Sequence, residues 1–263
     1  MVDVMQRNID AAISRRERSG ESTLVHLNHP NFGYAVTAEQ LMQIVGENFF
    51  EIYNGHSGVN NSGDQMHAST ERQWDIVNTW RLAKLKLPIM YGLATDDGHD
   101  YFETIPQKGA QPGRGWVMVL CDTLTPDALV KAIEAGRFYS SSGVALEEIQ
   151  RTSNSLKVTV AADPDVSYRI DFIGTSASFD DASTPAIDDP ATADTVTRKY
   201  SSDVGKVFKS VEGSVGSYTF EGNELYVRAV VTSSRPHPNP SQVGEFERAW
   251  VQPVVVADTA REQ

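Results

Sequence analysis

The sequence predicts an α/β fold in which part of a β/α barrel is followed by a small antiparallel β-sandwich. Three observations lead to this prediction. Helical and strand-like patterns alternate up to about residue 145, only strand-like patterns follow, and 263 residues suffice for one large domain or two ordinary ones. We therefore place a partial β/α barrel domain at residues 1–145 and a β-sandwich accessory domain at residues 146–263.

The first part alternates helices and strands in the order expected of a parallel sheet with helices outside. Apolar residues recur at helical spacing from Val2 to Ile13, and the pattern stops at Gly20, a typical C-terminal cap. Capping boxes beginning at Thr37 and Thr70 open two further helices, and Thr125-Pro126 opens a fourth that ends before residue 136. The strands predicted between them cover residues 23–28, 49–54, 88–95, 116–121 and 138–141.

The second part contains strand-like segments with no convincing helix between them, which favours a β-sandwich. These segments cover residues 156–161, 168–173, 217–220, 225–231 and 249–256. Residues 176–194 hold five aspartates and no basic residue. Because the acids lack regular ligand spacing, a solvated loop is favoured over a calcium-binding loop there.

Composition excludes several classes of protein. The 40% hydrophobic and 22% charged content is typical of a folded soluble chain, and the net charge of -12 argues against a general nucleic-acid or anionic-membrane binder. A single cysteine, Cys121, excludes an internal disulfide framework, and no apolar run approaches the ~20 residues of a membrane span. The compartment stays undetermined.

The most specific candidate for chemistry is the segment 95–99, Thr-Asp-Asp-Gly-His, at the end of an apolar strand. In extended backbone the side chains of Asp97 and His99 point to the same side of the strand. A carboxylate beside an imidazole is half of a site for zinc, manganese or iron. A polar turn is the alternative for so short a motif. Its position at the carboxyl end of a predicted parallel strand favours a functional role.

Two more clusters lie at strand ends. In Asn28-His29-Pro30 the proline is expected to hold His29 in extended geometry, which suits a metal ligand, although a capping histidine is equally compatible. Residues 51–58 bring together Glu51, Asn54 and His56. Glu51 either bridges metals or forms a buried salt bridge, since a buried carboxylate needs a partner.

The remaining candidates are weaker. Arg114, after a loop rich in glycine and proline, is a candidate to bind a phosphate or carboxylate of a substrate, and Asn54 is a second candidate for substrate binding. His26 lies within a predicted strand at odd offset from His29, so we expect it to be structural. The chain has no P-loop, no dinucleotide fingerprint and no serine-hydrolase elbow.

The three clusters in this order resemble the later half of a polymerase-and-histidinol-phosphatase (PHP) superfamily domain. His29-Pro30 resembles the family's His-Pro motif, and Asp97-Gly98-His99 resembles its closing Asp-x-His motif. Residues 113–143 are similar to the following segment of the carbamate-hydrolase-like branch, whose β-rich tail the later strands also resemble. The resemblance implies a distorted seven-stranded β/α barrel with two or three zinc, manganese or iron ions.

The chain departs from the family at its beginning. The family opens with a His-x-His strand and an early Asp-His pair, and neither occurs before His29. Four or five strand–helix units fit into residues 1–145, whereas a closed barrel needs seven or eight. We therefore expect either a missing N-terminal segment or an open half-barrel that self-associates or pairs with that segment.

Together these observations predict a metal-dependent hydrolase of phosphoester or related ester bonds, with a metal-bound water as nucleophile and a small-molecule substrate. The expected metal ligands are His29, Asp97 and His99, followed by Glu51 and His56, with Asp97 and His99 also acting in catalysis. An incomplete metal site is expected, because the early motifs are absent. The alternative is a catalytically inactive binding or interaction module that retains the half-barrel and the sandwich.

Overall fold

The structure is a computed structural model that describes residues 1–46, 48–189 and 195–256. Strands make up 33% of it and helices 19%, so the fold is mostly β. The helices are α1 (Val2–Ser19), α2 (Ala38–Leu41), α3 (Thr70–Trp80), which continues in a π-helical turn (Arg81–Leu85), and α4 (Pro126–Glu134). The strands, in chain order, are β1 (Phe49–Asn54), β2 (Tyr91–Thr95), β3 (Trp116–Val119), β4 (Phe138–Ser141), β5 (Leu146–Arg151), β6 (Ser155–Val160), β7 (Tyr168–Ser176), β8 (Ser183–Thr184), β9 (Lys199–Tyr200), β10 (Lys206–Glu212), β11 (Val215–Thr219), β12 (Glu224–Pro236) and β13 (Phe246–Val255).

Several predicted elements are confirmed. α1 ends at Gly20, which has the left-handed φ of 68° that glycine adopts without strain. β1 and β4 have the predicted bounds, and α4 begins after an N-cap Thr125 with proline in its first turn. α3 differs in its start: Ser69, not Thr70, is the cap, because the Thr70 hydroxyl donates to the carbonyl of Ile52 in β1.

The prediction of a partial β/α barrel followed by a sandwich is wrong. Within the described ranges, parallel pairing is confined to β1 with β2 and a single bridge from Leu27 to Phe50. β3 and β4 instead extend a six-stranded antiparallel sheet of order β10-β7-β12-β13-β4-β3. No barrel closes among these strands. The cause is the connection through α4, which returns the chain antiparallel; a strand–helix–strand pattern does not specify the direction of the second strand.

The six-stranded sheet contains strands from before and after residue 145, and a hydrophobic core lies against each of its faces. Val230 and Trp250 pack against α1, α2, α3 and the parallel strands, whereas Ala229 and Val231 face the three-stranded sheet β11-β6-β5. Alternate residues of β12 therefore enter different cores, which explains its nearly unbroken apolar run.

A buried charge network fastens α3 to the six-stranded sheet. Arg228 in β12 donates to both carboxylate oxygens of Asp75, at 2.8 and 2.7 Å. Glu71 accepts from Arg248 at 2.6 Å and lies 3.6 Å from Arg228. Burial by itself would raise the pKa of Glu71, but these two arginines outweigh it and hold that pKa below its ordinary value.

The acidic segment 176–194 lies partly outside the described residues, since 190–194 are not described. Its described portion includes β8, which pairs with β9. No described helix is both long enough and apolar enough to cross a bilayer.

Candidate functional site

Three chain segments end side by side at one edge of the small parallel sheet. Leu27 pairs with β1, β1 pairs with β2, and all three run in the same direction. The residues that follow them therefore meet at one edge, as they do in enzymes that place catalytic groups at strand carboxyl ends. His29 follows the first segment, Asn54 ends the second and Asp97 follows the third.

Glu51 is buried in this cluster and is only 3% exposed. Its Oε2 accepts the backbone N–H of His29 at 2.7 Å and the Asn54 amide at 2.8 Å. Its Oε1 faces Nδ1 of His26 at 4.0 Å, beyond hydrogen-bonding distance, and that nitrogen is buried without a hydrogen-bond partner. Among the described residues, no lysine or arginine forms an ion pair with Glu51.

Asn54 connects two carboxylates. Its Nδ2 donates to Glu51 and, at 3.1 Å, to Oδ2 of Asp97, while its Oδ1 accepts the backbone N–H of His56 at 2.8 Å. The Asn54 backbone is held in turn by the side chain of Asn61, which bonds to both its N–H and its carbonyl. Two anionic groups thus converge on one neutral amide, an arrangement that favours a bound cation because like charges repel at short range.

The two outer histidines are fixed in different tautomers. Nδ1 of His99 lies 2.7 Å from the carbonyl of Asp97, so it carries the proton and leaves Nε2 with a free electron pair. Nδ1 of His56 accepts the N–H of Gly58 at 2.9 Å, so in the neutral ring its Nε2 carries the proton. The rings are edge to face with centroids 5.6 Å apart. His99 is thereby suited to bind a metal, and His56 to donate a hydrogen bond from Nε2.

The backbone at two strand ends is strained. His29 has φ of 23° and Asp97 has φ of 47°, values that cost side chains other than glycine on the order of 1–3 kcal/mol. The expectation that Pro30 keeps His29 extended is therefore wrong. The Glu51 carboxylate binds the His29 N–H and the His29 carbonyl accepts from Phe32, which closes a turn around the proline. Asp97 is likewise not extended, since its φ is 47°, and its Oδ1 lies 3.8 Å from Nδ1 of His99.

Phe32 and His26 are members of the cluster that the sequence analysis did not propose. Phe32 is 50% exposed, and its ring lies between those of His29 and His56, at centroid distances of 5.3 and 6.0 Å. His26 reaches Glu51 because only Leu27 of its segment pairs with β1, so strand alternation does not govern the direction of its side chain. An aromatic residue three positions after His29 was the available sequence signal for Phe32.

Arg114 supports the cluster by holding the backbone at Gly55. It is fully buried, donates to the carbonyl of Gly55 at 2.9 Å and to Asn239 at 3.2 Å, and burial lowers the pKa of its guanidinium. A Cβ on Gly55 would lie 2.6 Å from the Arg114 Cβ. In the structure Arg114 therefore positions the backbone between Asn54 and His56, and its binding of substrate stays a prediction.

The cluster offers two carboxylate–imidazole pairs, His26 with Glu51 and Asp97 with His99, joined through Asn54. Each pair supplies the oxygen and nitrogen ligands that zinc, manganese and iron accept. The orphaned Nδ1 of His26 opposite a buried, unpaired carboxylate fits a cation between them. Within the described part of the chain, however, no three His, Cys, Asp or Glu side chains are grouped to hold one ion.

Comparisons with protein-family models, with curated proteins and with solved structures find no match to this chain.

Proposed function

We propose that the chain is a metal-dependent hydrolase of phosphoester or related ester bonds, with a metal site that its described residues supply in part. The observation that supports this most is the meeting of two carboxylates at the Asn54 amide, where no lysine or arginine of the described ranges neutralises the buried one. The polar strand-end residues resemble those of the PHP superfamily, as the sequence analysis noted, and membership of that superfamily is part of the proposal.

The roles follow from the tautomers and the burial. Glu51 with His26 and Asp97 with His99 would hold divalent cations, which supply a water of lowered pKa and neutralise charge on the substrate oxygen. His56, whose Nε2 carries the proton in the neutral ring, would stabilise charge on the leaving-group oxygen by donating a hydrogen bond to it. Asn54 keeps the two carboxylates in place, and His29, expected from the sequence to be a ligand, contributes its backbone N–H to Glu51.

The alternative is a catalytically inactive binding module. The observation that favours it is the lack, among the described residues, of any three grouped ligands. The two functions differ in what chelation does. A hydrolase of this kind loses turnover and bound metal together, whereas the binding module remains folded and metal-free.

The decisive experiment measures hydrolysis of bis(4-nitrophenyl) phosphate and 4-nitrophenyl acetate by chelator-treated protein, with and without added Zn²⁺, Mn²⁺ or Fe²⁺. Because the metal site is incomplete, we expect weak metal-dependent turnover, which Asp97→Asn and His99→Ala each reduce at least about tenfold. The matched control is the pair Asp64→Asn and His67→Ala, because His67 and Asp64 form a third carboxylate–imidazole pair, 2.8 Å apart, outside the cluster. Turnover that chelator does not reduce would contradict the proposal. So would a loss of turnover in the control variants equal to that in Asp97→Asn and His99→Ala.

A further inference from the structure

A groove opens where the edge strands of two sheets meet. It lies away from the strand-end residues around Glu51, Asn54 and Asp97, called here the cation cluster after the ions proposed to bind there. β3 is an edge strand of the six-stranded sheet and β5 is an edge strand of the three-stranded sheet. Between them lies a cavity of about 390 Å³ with apolar walls that include Met118, Leu120, Phe138 and Ile149. This volume is within the range of pockets that hold small molecules.

The groove is lined by Arg151, a cation for which the described residues supply no counterion. Arg151, at the end of β5, donates from Nη1 to the carbonyl of Gly136 at 2.6 Å, while its Nε is buried and has no hydrogen-bond partner. No Asp or Glu of the described ranges lies within ion-pair distance of Arg151. Burial lowers the pKa of this guanidinium, because removing its charge from water costs free energy. A ligand anion would remove that cost.

The rim limits the charge of the ligand. Glu147 and Glu148 also line the groove, and both are exposed. Two carboxylates near the entrance repel a phosphate dianion more than a single carboxylate. The second arginine of the wall, Arg137, is exposed, so water already solvates its charge. Arg151 is therefore the group that gains most from an anionic partner.

We propose that this groove binds a small amphipathic monocarboxylate. Its carboxylate pairs with the Arg151 guanidinium, which lines the groove, and its alkyl chain covers Met118, Leu120 and Ile149. The groove shares no lining residue with the cation cluster, so this site does not depend on the proposed hydrolase activity.

Isothermal titration of the full chain with sodium octanoate, and separately with 1-octanol, tests the proposal. We expect one octanoate to bind per chain, and 1-octanol to bind at least about tenfold more weakly than octanoate. The reason is that a hydrogen bond between two charged groups contributes more than one between a charged and a neutral group. Leu120→Asp, a change at a residue 74% exposed, should weaken octanoate binding about tenfold by placing a negative charge in the wall. Leu124→Asp is the matched control, because Leu124 is 88% exposed and lies outside the groove.

Three results would overturn the proposal: no binding of octanoate, equal affinity for octanoate and octanol, or the same loss in the Leu124→Asp control. Arg151→Met gives a further test, since a folded variant should bind both probes alike, and retained preference for octanoate contradicts the assignment. Should that variant not fold, the octanol comparison and Leu120→Asp decide.

Discussion

Replacing Glu51 by glutamine removes a buried charge while keeping the shape of the side chain. Glu51 is 3% exposed and has no lysine or arginine partner among the described residues. The glutamine oxygen can still accept from His29 and Asn54, and its new amide group faces the orphaned Nδ1 of His26. The account therefore predicts an unusual outcome, in which the variant is more stable than the native chain when metal is absent.

The expected size follows from the contacts of Glu51. Converting two charge-assisted hydrogen bonds to neutral ones costs about 3 kcal/mol together, since each weakens by roughly 1.5 kcal/mol. Relief of the desolvation penalty of a buried ion returns several kcal/mol, about 5 here, and a new hydrogen bond to His26 adds about 1 kcal/mol. The free energy of unfolding should rise by about 3 kcal/mol in chelator. A cation at 100 times its Kd stabilises the native chain by about 2.7 kcal/mol and stabilises the variant far less. Added metal should therefore remove most of the difference in free energy of unfolding between the two proteins.

Urea denaturation of both proteins, in chelator and in excess Zn²⁺ or Mn²⁺, measures these differences. Glu148→Gln is the matched control, because Glu148 is exposed and its change should alter the free energy of unfolding by less than about 0.5 kcal/mol. The reasoning is refuted if Glu51→Gln destabilises the chelator-treated protein by more than about 1 kcal/mol, or if metal stabilises both proteins equally.

Three further predictions concern the scaffold. Asp75→Asn should cost about 3 kcal/mol in urea denaturation, because it leaves buried Arg228 with only the longer 3.6 Å contact to the Glu71 carboxylate, and a loss below about 1 kcal/mol would contradict a buried ion pair. Gly174→Ala should destabilise by more than about 2 kcal/mol, since the new Cβ would meet the Tyr226 carbonyl oxygen; an unchanged melting temperature contradicts this. Because its arginine partners lower the pKa of Glu71, the stability contributed by its charge is complete above the unfolded pKa and is lost as pH falls through the lower folded value. Urea titrations from pH 6 to pH 3 should show this loss in the native chain and a smaller one in Glu71→Gln; equal pH dependence in both would exclude the proposed contribution.

The strand ends were predictable because two signals coincide there. An apolar run identifies a buried strand, and a polar residue directly after it marks the edge where the chain leaves the sheet. Asn54 and Asp97 satisfy both conditions, and the structure places them within hydrogen-bonding distance. Local sequence therefore sufficed for the position of the cluster at the carboxyl ends of β1 and β2.

The sheet topology was not predictable in the same way. β3, α4 and β4 match their predicted pattern, yet β4 returns antiparallel to β3 and joins β13, more than 100 residues later in the chain. The choice depends on tertiary partners such as the hydrogen bond from Ala94 to the Ser140 hydroxyl, which no local pattern reports. β5 and β10 were missed because mostly exposed strands lack a strong apolar alternation.

Within the cluster, the sequence located residue types but not their backbone geometry. His29 was expected to be extended before proline, whereas its N–H is bound by Glu51 in a turn with φ of 23°, and its role as a metal ligand stays a prediction. His26 was assigned to structure from strand alternation that a single bridge does not impose. Both differences in geometry have one cause: the chain before β1 pairs at one residue only, so strand geometry does not decide where its side chains lie.

The most direct test of the cation cluster is calorimetric titration of chelator-treated protein with Zn²⁺ and Mn²⁺. The account predicts saturable binding of at least one ion per chain, abolished in the double variant Glu51→Gln/Asp97→Asn and retained in the control Asp64→Asn. Absence of binding in the native chain, or binding that survives the double variant, would contradict the assignment of these two carboxylates to a metal site.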